Sequence, residues 1–543
     1  MKLMPIALGI SAAFALSACG GGGDSSSGPA TAKTPTVSGV VAVGAALGGA
    51  AVNVTCSVGS GSATTSADGS YSVGISGETL PCVLTATSSD GKTVLHSVVP
   101  GTGANTGNAT ANVTPLTELL IAQLSGEDPA KFVAAFTPTT AVSTTAVSSA
   151  QTALISVLKS AGVDTSSAGD FIGGTIGAGS HQGYDGILDT LQSTMTSAGT
   201  NLGELTTAVA DSTGSTTAAA STLTTILAPA NPDCTALKSG DHRLIKLADG
   251  SAKLVTVDAT KLTVVMNGTT YQLTKGAASC DFTLNDPGST RVLVAKSGLA
   301  SWTNGTGTTG TVSLSMPAQT MDPSVINGIY NFVVFNGPMQ GDFGTHNYSN
   351  GVTIAATNCA GYGNCAVDNM TPYGHLVATA DGGAKWVDDG STGGNGYHAF
   401  GFRNAQGKVI WIATVLDAGG GVGVFAPQTA LALPAVGDAS AFWQSTINGA
   451  GLSAVSEDSD TITAVNANAV TRTFADLHTD VVNYNDPFNG LRHRAANACT
   501  TSSGAAKSCS PSLQLPMGGM TLALSGSGAP YGVSISVSKP GSK

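Results

Sequence analysis

The chain has 543 residues, of which 42% are hydrophobic and only 10% are charged, and its formal net charge is −11. A chain of this length indicates several domains rather than one core. The acidic balance argues against a nucleic-acid partner, because binding to phosphates depends on basic patches. Beyond the N-terminal segment, the longest apolar run is residues 409–416, which is too short for a transmembrane helix of about twenty residues.

The N-terminal segment has the pattern of an export signal. A basic residue precedes the apolar residues 3–16, and the tetrapeptide Leu-Ser-Ala-Cys ends at Cys19. This tetrapeptide resembles the bacterial lipobox, in which the cysteine is acylated and becomes the first residue of the mature chain. We therefore predict a signal peptide over 1–18, a membrane anchor through lipid on Cys19, and a flexible Gly/Ser tether over 19–35. Cleavage after residue 18 that leaves a free thiol is the alternative.

The residue that follows the lipidated cysteine often directs sorting in lipoproteins of this type. Gly20 resembles an outer-membrane signal. We therefore predict a lipid-anchored outer-membrane protein. The sequence leaves open whether it faces the periplasm or the cell surface.

Segments of alternating apolar and polar residues predict β-strands over 36–113. They are V-x-G-x-V from Val37, G-A-x-V-x-V from Gly49, and T-x-x-D-G-x-Y ending at Tyr71, whose Asp-Gly dipeptide predicts a hairpin turn. This order resembles the carboxypeptidase regulatory-like domain. The resemblance implies a small prealbumin-like β-sandwich that acts as a spacer or a carbohydrate-binding-like module and carries no catalytic residues.

The apolar residues change to a helical period over 114–231. Thr114 can cap a helix, Pro115 suits its first position, and Gly126 suits its end. Further apolar stripes follow, including one that starts at Tyr184. We predict a small helical bundle, and a partly folded Ser/Thr-rich stalk is the alternative.

Strand patterns return after residue 231 and recur at about eight to twelve residues, which is typical of antiparallel sandwiches and barrels. We predict one β-unit over 232–320 and a second over 321–543. The predicted fold class is multidomain and mainly β, with an N-terminal small β-sandwich, a middle α-helical bundle and C-terminal antiparallel β-sandwich or barrel units.

The chain has nine cysteines, and an even number remains if Cys19 carries lipid. An even number of cysteines in an exported chain predicts disulfides. A zinc site is the alternative, which the absence of any CxxC pair disfavours. Neighbouring cysteines fall inside one structural unit each, so we predict the pairs Cys56/Cys82, Cys234/Cys280, Cys359/Cys365 and Cys499/Cys509.

Asp476, His478 and Asp480 are the strongest candidates for catalysis. Alternate residues of a strand point to one face, which would place the histidine between two carboxylates. Such a group could hold a metal or act as a general base. The alternative, which we favour, is a solvated strand or loop without chemistry.

Two stretches that follow are candidates for ligand binding. Asn483, Asn485 and Asp486 supply oxygen donors of the kind found in calcium loops, although the EF-hand order is missing and an Asx turn is the favoured alternative. Arg492 and Arg494 form the compact basic cluster and could bind a carboxylate or phosphate. An exposed loop is the alternative for these arginines.

Trp386, beside two aspartates in a Gly/Ser-rich stretch, could stack on a sugar ring, and packing is its favoured alternative. We predict no cofactor and no enzyme. The favoured function is a non-enzymatic binding or adhesion module for a glycan or an envelope protein. The alternatives are a structural subunit of an envelope complex, which pairs through edge strands, and a hydrolase or metal enzyme that uses the Asp476, His478 and Asp480 group.

Overall fold

The computed structural model describes residues 34–104, 107–335, 341–359, 361–362, 364–368, 373–389, 396–416, 421–526 and 532–542. The predicted signal peptide, Cys19 and almost all of the tether lie outside these residues. Residues Pro35–Lys543 form one compact unit. The predicted fold class is confirmed, because the chain is mainly β, with a sandwich first, helices next and barrels last. Within the described ranges, no helix is both long enough and apolar enough to cross a membrane.

Two sheets form the N-terminal β-sandwich. Its strands are β1 (Thr36–Val40), β2 (Ala51–Val58), β3 (Ser60–Thr64), β4 (Ser70–Gly74), β5 (Thr79–Thr87), β6 (Val94–Ala104) and β7 (Asn108–Thr110). One sheet has the order β4-β1-β7 and the other β3-β2-β5-β6. Val52, Val54 and Cys56 of β2 are buried and alternate with exposed residues, because successive residues of a strand point to opposite faces. Membership of the carboxypeptidase regulatory-like family stays a prediction.

The helices of the described chain follow the sandwich. They are α1 (Pro115–Ser125), α2 (Pro129–Ala134), α3 (Thr144–Ser160), α4 (Gly183–Ala198), α5 (Leu202–Asp211) and α6 (Thr216–Ile226), with short 3₁₀ turns at Ser166–Ala168 and Pro323–Val325. Thr114 caps α1, because its Oγ1 accepts a hydrogen bond from Thr117 N while its own N donates to Thr117 Oγ1. Gly126, with φ of 69°, ends the helix. The predicted start and end of α1 are confirmed.

The helices and the sandwich share one hydrophobic core. Leu95 of β6, Leu120 of α1 and Leu154 of α3 belong to the same buried cluster. Across this contact, Glu118 Oε2 accepts a hydrogen bond from His96 N at 2.6 Å, and both side chains are buried. Because Ser- and Thr-rich helices have little intrinsic stability, packing on the sandwich stabilises the bundle.

Ring one is a closed antiparallel barrel. A two-stranded sheet precedes it, β8 (Ala230–Asn231) with β9 (Cys234–Lys238). The ring contains β10 (Gly240–Lys246), β11 (Ala252–Asp258), β12 (Thr263–Met266), β13 (Thr269–Lys275), β14 (Asp281–Leu284), β15 (Arg291–Val294), β16 (Ala300–Asn304) and β17 (Thr311–Pro317), and it closes where β10 pairs with β17. Phe282, Val292 and Trp302 belong to the apolar cluster that fills its interior.

Ring two follows directly. Its strands are β18 (Gly328–Phe335), β19 (Gly341–Ser349), β20 (Val352–Cys359), β21 (Cys365–Asp368), β22 (Gly374–Ala378), β23 (Ala384–Val387), β24 (Tyr397–Arg403), β25 (Val409–Val415) and β26 (Val422–Pro427). The sheet runs β19-β18-β26-β25-β24-β23-β22-β20-β21, and an additional β19–β20 pairing closes all of it except β21 into a ring. Trp411 is fully buried inside, in edge contact with Tyr330, Tyr348 and Phe425.

Ring three ends the described chain. Its strands are β27 (Ala439–Asn448), β28 (Gly451–Leu452), β29 (Ser456–Asn466), β30 (Ala469–Phe474), β31 (Thr479–Tyr484), β32 (Arg492–Arg494), β33 (Cys499–Thr500), β34 (Ala506–Lys507), β35 (Ser512–Pro516), β36 (Met520–Ser525) and β37 (Gly532–Ser538). The order β30-β29-β27-β37-β36-β35-β32-β31 is closed by the β30–β31 pairing. Residues 321–543, predicted as a single β-unit, thus contain two rings.

The outer faces of the three rings meet in one apolar core. Ile245 and Leu314 of ring one, Ile412 of ring two, and Leu522 and Ile535 of ring three belong to this buried cluster. Each of these residues alternates along its strand with residues that face the interior of its own ring. The rings are therefore held together by their outward-facing residues.

Candidate functional site

Much of the interior of ring three is polar, beside a small apolar cluster of Ile462, Val470, Val482 and Tyr484, whereas rings one and two have apolar interiors. Along β37, Val533, Ile535 and Val537 join the core between the rings, while Ser534 and Ser536 line an internal cavity. Successive residues of a strand point to opposite faces. A strand whose outer face is buried against other rings therefore turns its polar residues inward.

Each strand of the closed ring three contributes side chains to one cavity of about 400 Å³, which we call the lumen. This volume is in the range of small-molecule sites. Much of the lining consists of Ser, Thr and Gln side chains. The lumen also contains the arginines Arg472, Arg492 and Arg494 and the buried aspartates Asp460 and Asp480.

Two of the arginines are paired with the aspartates. Arg472 donates from Nε and Nη2 to the two carboxylate oxygens of Asp480 at 2.9 and 2.7 Å, and from Nη1 to Asp460 Oδ2 at 3.3 Å. Arg494 Nη1 donates to Asp480 Oδ2 at 3.2 Å. The Asp480 side chain is 1% exposed. Bidentate arginine–carboxylate pairs of this kind are strong and geometrically specific, so the pairs hold β30, β31 and β32 together inside the ring.

The paired groups keep their charges. Burial by itself would raise the pKa of the Asp480 carboxyl, but the charges and hydrogen bonds of Arg472 and Arg494 outweigh burial and lower it. Burial would lower the pKa of Arg472, and Asp480 and Asp460 reverse this effect and raise it. Asp480 and Arg472 are thus both ionised at neutral pH.

Arg492 differs from its neighbours, because no carboxylate in the described part of the chain forms an ion pair with it. Its Nη2 donates to Thr521 Oγ1 at 3.1 Å, and its guanidinium lies 5.5 Å from the centre of the Tyr484 ring. Its buried Nε has no hydrogen-bond partner. Burial and the nearby charge of Arg472 lower the pKa of Arg492. Arg492 is half-buried, and a cation partly withdrawn from water without a counter-ion is costly, so this position favours an anion.

The structure separates the predicted group Asp476, His478 and Asp480. His478 Nδ1 contacts Asp476 Oδ1 between β30 and β31, and the His478 ring stacks on Phe474 with centroids 4.2 Å apart. His478 and Asp480 both line the lumen, but the Asp480 oxygens are bound by Arg472 and Arg494. Leu477, whose φ is 65°, follows a turn at residues 475–476, where the prediction assumed a continuous strand. Asp476 is therefore exposed in the turn, whereas Asp480 lies in β31. Among the described residues, the clusters with metal-ligand spacing do not include these three.

The predicted calcium-loop residues make contacts within the chain. Asn485 Oδ1 accepts hydrogen bonds from two backbone N–H groups at 2.7 and 3.1 Å. Asp486 Oδ2 lies 3.1 Å from His493 Nδ1, and Asn483 is part of β31. The two donors are Leu431 N and Gly490 N, so Asn485 joins separate segments of the backbone rather than forming an Asx turn. A calcium role for these residues is not proposed.

Trp386 packs on the interior of ring two. Its ring stacks on Tyr397 with centroids 6.0 Å apart, and its Nε1 donates to Thr353 Oγ1 at 3.3 Å. The side chain is half-buried in the aromatic cluster around Trp411. These contacts agree with the packing alternative, and a sugar contact at Trp386 stays a prediction.

Four disulfides join the same cysteine pairs that the sequence analysis favours. They are Cys56–Cys82, Cys234–Cys280, Cys359–Cys365 and Cys499–Cys509. The first links β2 to β5 and the third links β20 to β21, in each case between directly paired residues. Each disulfide closes a loop of the chain and so restricts the unfolded state.

Arg472 and Asp460 are lumen residues that the sequence analysis missed. The pattern Val-Ser-Ile-Ser-Val over 533–537 indicates a strand with one apolar and one polar face. It is the sequence signal from which the lumen could have been predicted. The usual interpretation turns the polar face to solvent. Ring closure turns it to the interior here.

No protein-family model matches the chain, and no curated protein matches it. Among solved structures, the chain is similar to the isotype 1 transferrin binding protein B (TbpB) from serogroup B Neisseria meningitidis, with 7% sequence identity and a TM-score of 0.18, over 57% of this chain and 68% of that chain. It is also similar to a mutant of the vaccine antigen TbpB from Haemophilus parasuis Hp5, with 8% identity and a TM-score of 0.16, over 54% and 66%. At TM-scores this low, we draw no conclusion about function from either structure.

Proposed function

We propose that this chain is a lipid-anchored outer-membrane protein that binds a ligand and catalyses no reaction. Its ligand site is the lumen of ring three, and its ligand is an acidic glycan. The observation that carries the proposal is Arg492, a cation in the lumen without an acidic partner among the described residues.

Charge is the first support for an anionic ligand. Asp480 and Asp460 are already bound by Arg472 and Arg494. Asp438 and Asp458 also line the lumen, but among the described residues no carboxylate forms an ion pair with Arg492. Arg492 is therefore the position in the lumen where an anion could bind, and an electrostatic contact there is stronger than in bulk water. A guanidinium presents several N–H donors to a carboxylate or phosphate, and the free Nε of Arg492 is one of them.

The remaining lining supports a sugar as the body of the ligand. Hydroxyl and amide side chains such as Ser512, Gln514 and Ser536 line the lumen and can both donate and accept hydrogen bonds, as sugar hydroxyls do. Phe442 and Tyr484 add aromatic ring surface to the same lining. A polar lining with these aromatic side chains suits an acidic sugar better than an apolar ligand.

The two other functions considered from the sequence find less support. A hydrolase or metal enzyme needs Asp476, His478 and Asp480 to converge, and Asp480 is bound by arginines in the lumen instead. Assembly through edge strands needs free sheet edges, and most strands of the three rings have neighbours on both sides. We propose neither of them.

Arg492→Gln should weaken binding of acidic glycans by roughly ten- to a hundred-fold, because a hydrogen bond to a charged group contributes about 1.5–3 kcal/mol. The measurement is a glycan array with matched acidic and neutral sugars, probed with the full chain, followed by titration of the best acidic glycan. Neutral sugars should give no comparable signal.

Arg243→Gln is the matched control, because Arg243 is a buried arginine of ring one whose Nη2 donates to Asp381 O at 2.7 Å, away from the lumen. It should bind acidic glycans like the unmodified chain. Equal binding by Arg492→Gln and the unmodified chain would refute the lumen as the site. If the array gives no signal for acidic glycans and a protein partner is cross-linked on intact cells, the proposal that the ligand is an acidic glycan is refuted.

Cys19→Ser should move the protein from the membrane fraction to the soluble fraction, because lipid chains on Cys19 provide the proposed anchor. The measurement is detergent phase partitioning of cell extracts together with incorporation of labelled palmitate. Ser17→Ala, which retains the cysteine, is the control and should stay membrane-bound. Palmitate labelling that persists in Cys19→Ser would contradict the anchor.

A further inference from the structure

A second cluster of polar side chains lies at the start of α4, apart from ring three. Asp185 and Asp189 are four residues apart and therefore share one face of the helix. His181 precedes the helix, and its Nδ1 lies 2.6 Å from Asp189 Oδ2. One ligand atom each of His181, Asp185 and Asp189 lies within 4.8 Å of the other two.

Asp185 is the unusual member of this cluster. It is 0% exposed, and Oδ2 accepts a hydrogen bond from His181 N at 2.7 Å. Its other oxygen, Oδ1, is buried and has no hydrogen-bond partner. Burying a carboxylate oxygen without a partner is costly, and a cation at this position would supply the missing contact.

The sandwich holds the cluster in place. Gly44, in the loop after β1, lies so close to Asp189 that a Cβ atom there would be 2.5 Å from Asp189 Oδ1. Gly179 N, two residues before His181, donates to Gly44 O at 3.3 Å. The segment before α4 and α4 itself thus both contact Gly44. The sandwich loop therefore helps to hold the three side chains near one another.

We propose that His181, Asp185 and Asp189 form a binding site for a divalent transition-metal ion of the zinc type. One imidazole nitrogen and two carboxylates are ligands that zinc accepts, whereas magnesium and calcium prefer oxygen ligands throughout. The His181 side chain is 78% exposed and the Asp189 side chain 36%, so an ion can enter from solvent while Asp185 supplies the buried ligand.

Titration of the EDTA-treated full chain with Zn²⁺, followed by calorimetry, tests the proposal. We expect one site that Asp185→Asn and His181→Gln each weaken at least ten-fold, and we expect Mg²⁺ not to compete. Co²⁺ should give the visible absorption of a low-symmetry protein site, and this absorption should be lost in both variants.

His375→Gln is the matched control, because His375 Nδ1 lies 2.9 Å from Asp389 Oδ1 in a similar exposed pair outside this cluster. It should leave zinc binding unchanged. If Asp185→Asn fails to fold, as judged by circular dichroism, the exposed residue His181 decides the test. Unchanged zinc affinity in His181→Gln would overturn the proposal, as would Mg²⁺ competing as well as Co²⁺.

Discussion

Asp480→Asn is expected to lower the free energy of unfolding by about 3–5 kcal/mol, because it removes the buried carboxylate that pairs with both Arg472 and Arg494 and leaves Arg494 without a counter-ion. Asp480 receives a bidentate contact from Arg472 and a further hydrogen bond from Arg494, and its side chain is 1% exposed. Asparagine keeps the size of the side chain and removes the charge. The loss therefore reports the electrostatics of the lumen rather than its packing.

Urea-induced unfolding at neutral pH, followed by circular dichroism, measures this effect. Asp476→Asn is the matched control, because the Asp476 side chain is 68% exposed and lies only four residues away. A surface change of this kind should shift the free energy of unfolding by no more than about 0.5 kcal/mol. Equal destabilisation by the two variants would show that the lumen network does not stabilise the ring.

The same network has an expected pH dependence. The pKa of Asp480 is lowered in the folded chain, compared with about 3.9 in an unfolded chain. A carboxyl group of this kind stabilises the fold above its unfolded pKa, and that stability is lost as the pH falls through the folded pKa. Acid unfolding of the unmodified chain should therefore show a decline below about pH 4 that is smaller in Asp480→Asn.

Trp411→Ala is expected to cost about 3–5 kcal/mol, which is typical of a large aromatic side chain removed from a core. Trp411 is 0% exposed at the centre of ring two, with ring centroids of Tyr330, Tyr348 and Phe425 each 5.2 Å away. The cavity left by the substitution would lie among aromatic side chains that the surrounding strands of ring two hold in place. These side chains can therefore fill the cavity only in part.

Trp386→Ala is the control for this prediction, because Trp386 is half-buried in the same ring. It should cost about 1–2 kcal/mol, in proportion to the smaller apolar area that it buries. The measurement is again urea-induced unfolding. If Trp411→Ala does not fold, Trp411→Phe should fold with an intermediate loss, and an equal cost at Trp411 and Trp386 would contradict the central role of Trp411.

Local features of the fold could be predicted because their causes are local. The start of α1 depends on Thr114 and Pro115, and its end depends on Gly126. These residues can be recognised as helix-capping signals from the local sequence alone. The strands of the sandwich follow from period-two alternation. Cysteine pairs near in sequence, such as Cys359 with Cys365, also lie on adjacent strands of one sheet.

The candidate site could be predicted only in part. Arg492 and Arg494 stood out as a compact basic cluster, and the structure brings both into the lumen. The prediction that Asp476, His478 and Asp480 share one face assumed an unbroken strand, and the turn at residues 475–477 breaks it between Asp476 and His478. The metal-type cluster around Asp185 depends on contact with Gly44, far away in the sequence.

The order of residues along each strand is sufficient to predict which strands have one apolar and one polar face. The alternation Val533, Ser534, Ile535, Ser536 is the same whichever face is buried, because the period of a strand carries no information about inside and outside. Which face is buried depends instead on how the rings pack against one another. The outer face of β35, β36 and β37 packs in the core between the rings, so the polar residues of these strands line the interior, where Arg492 also lies.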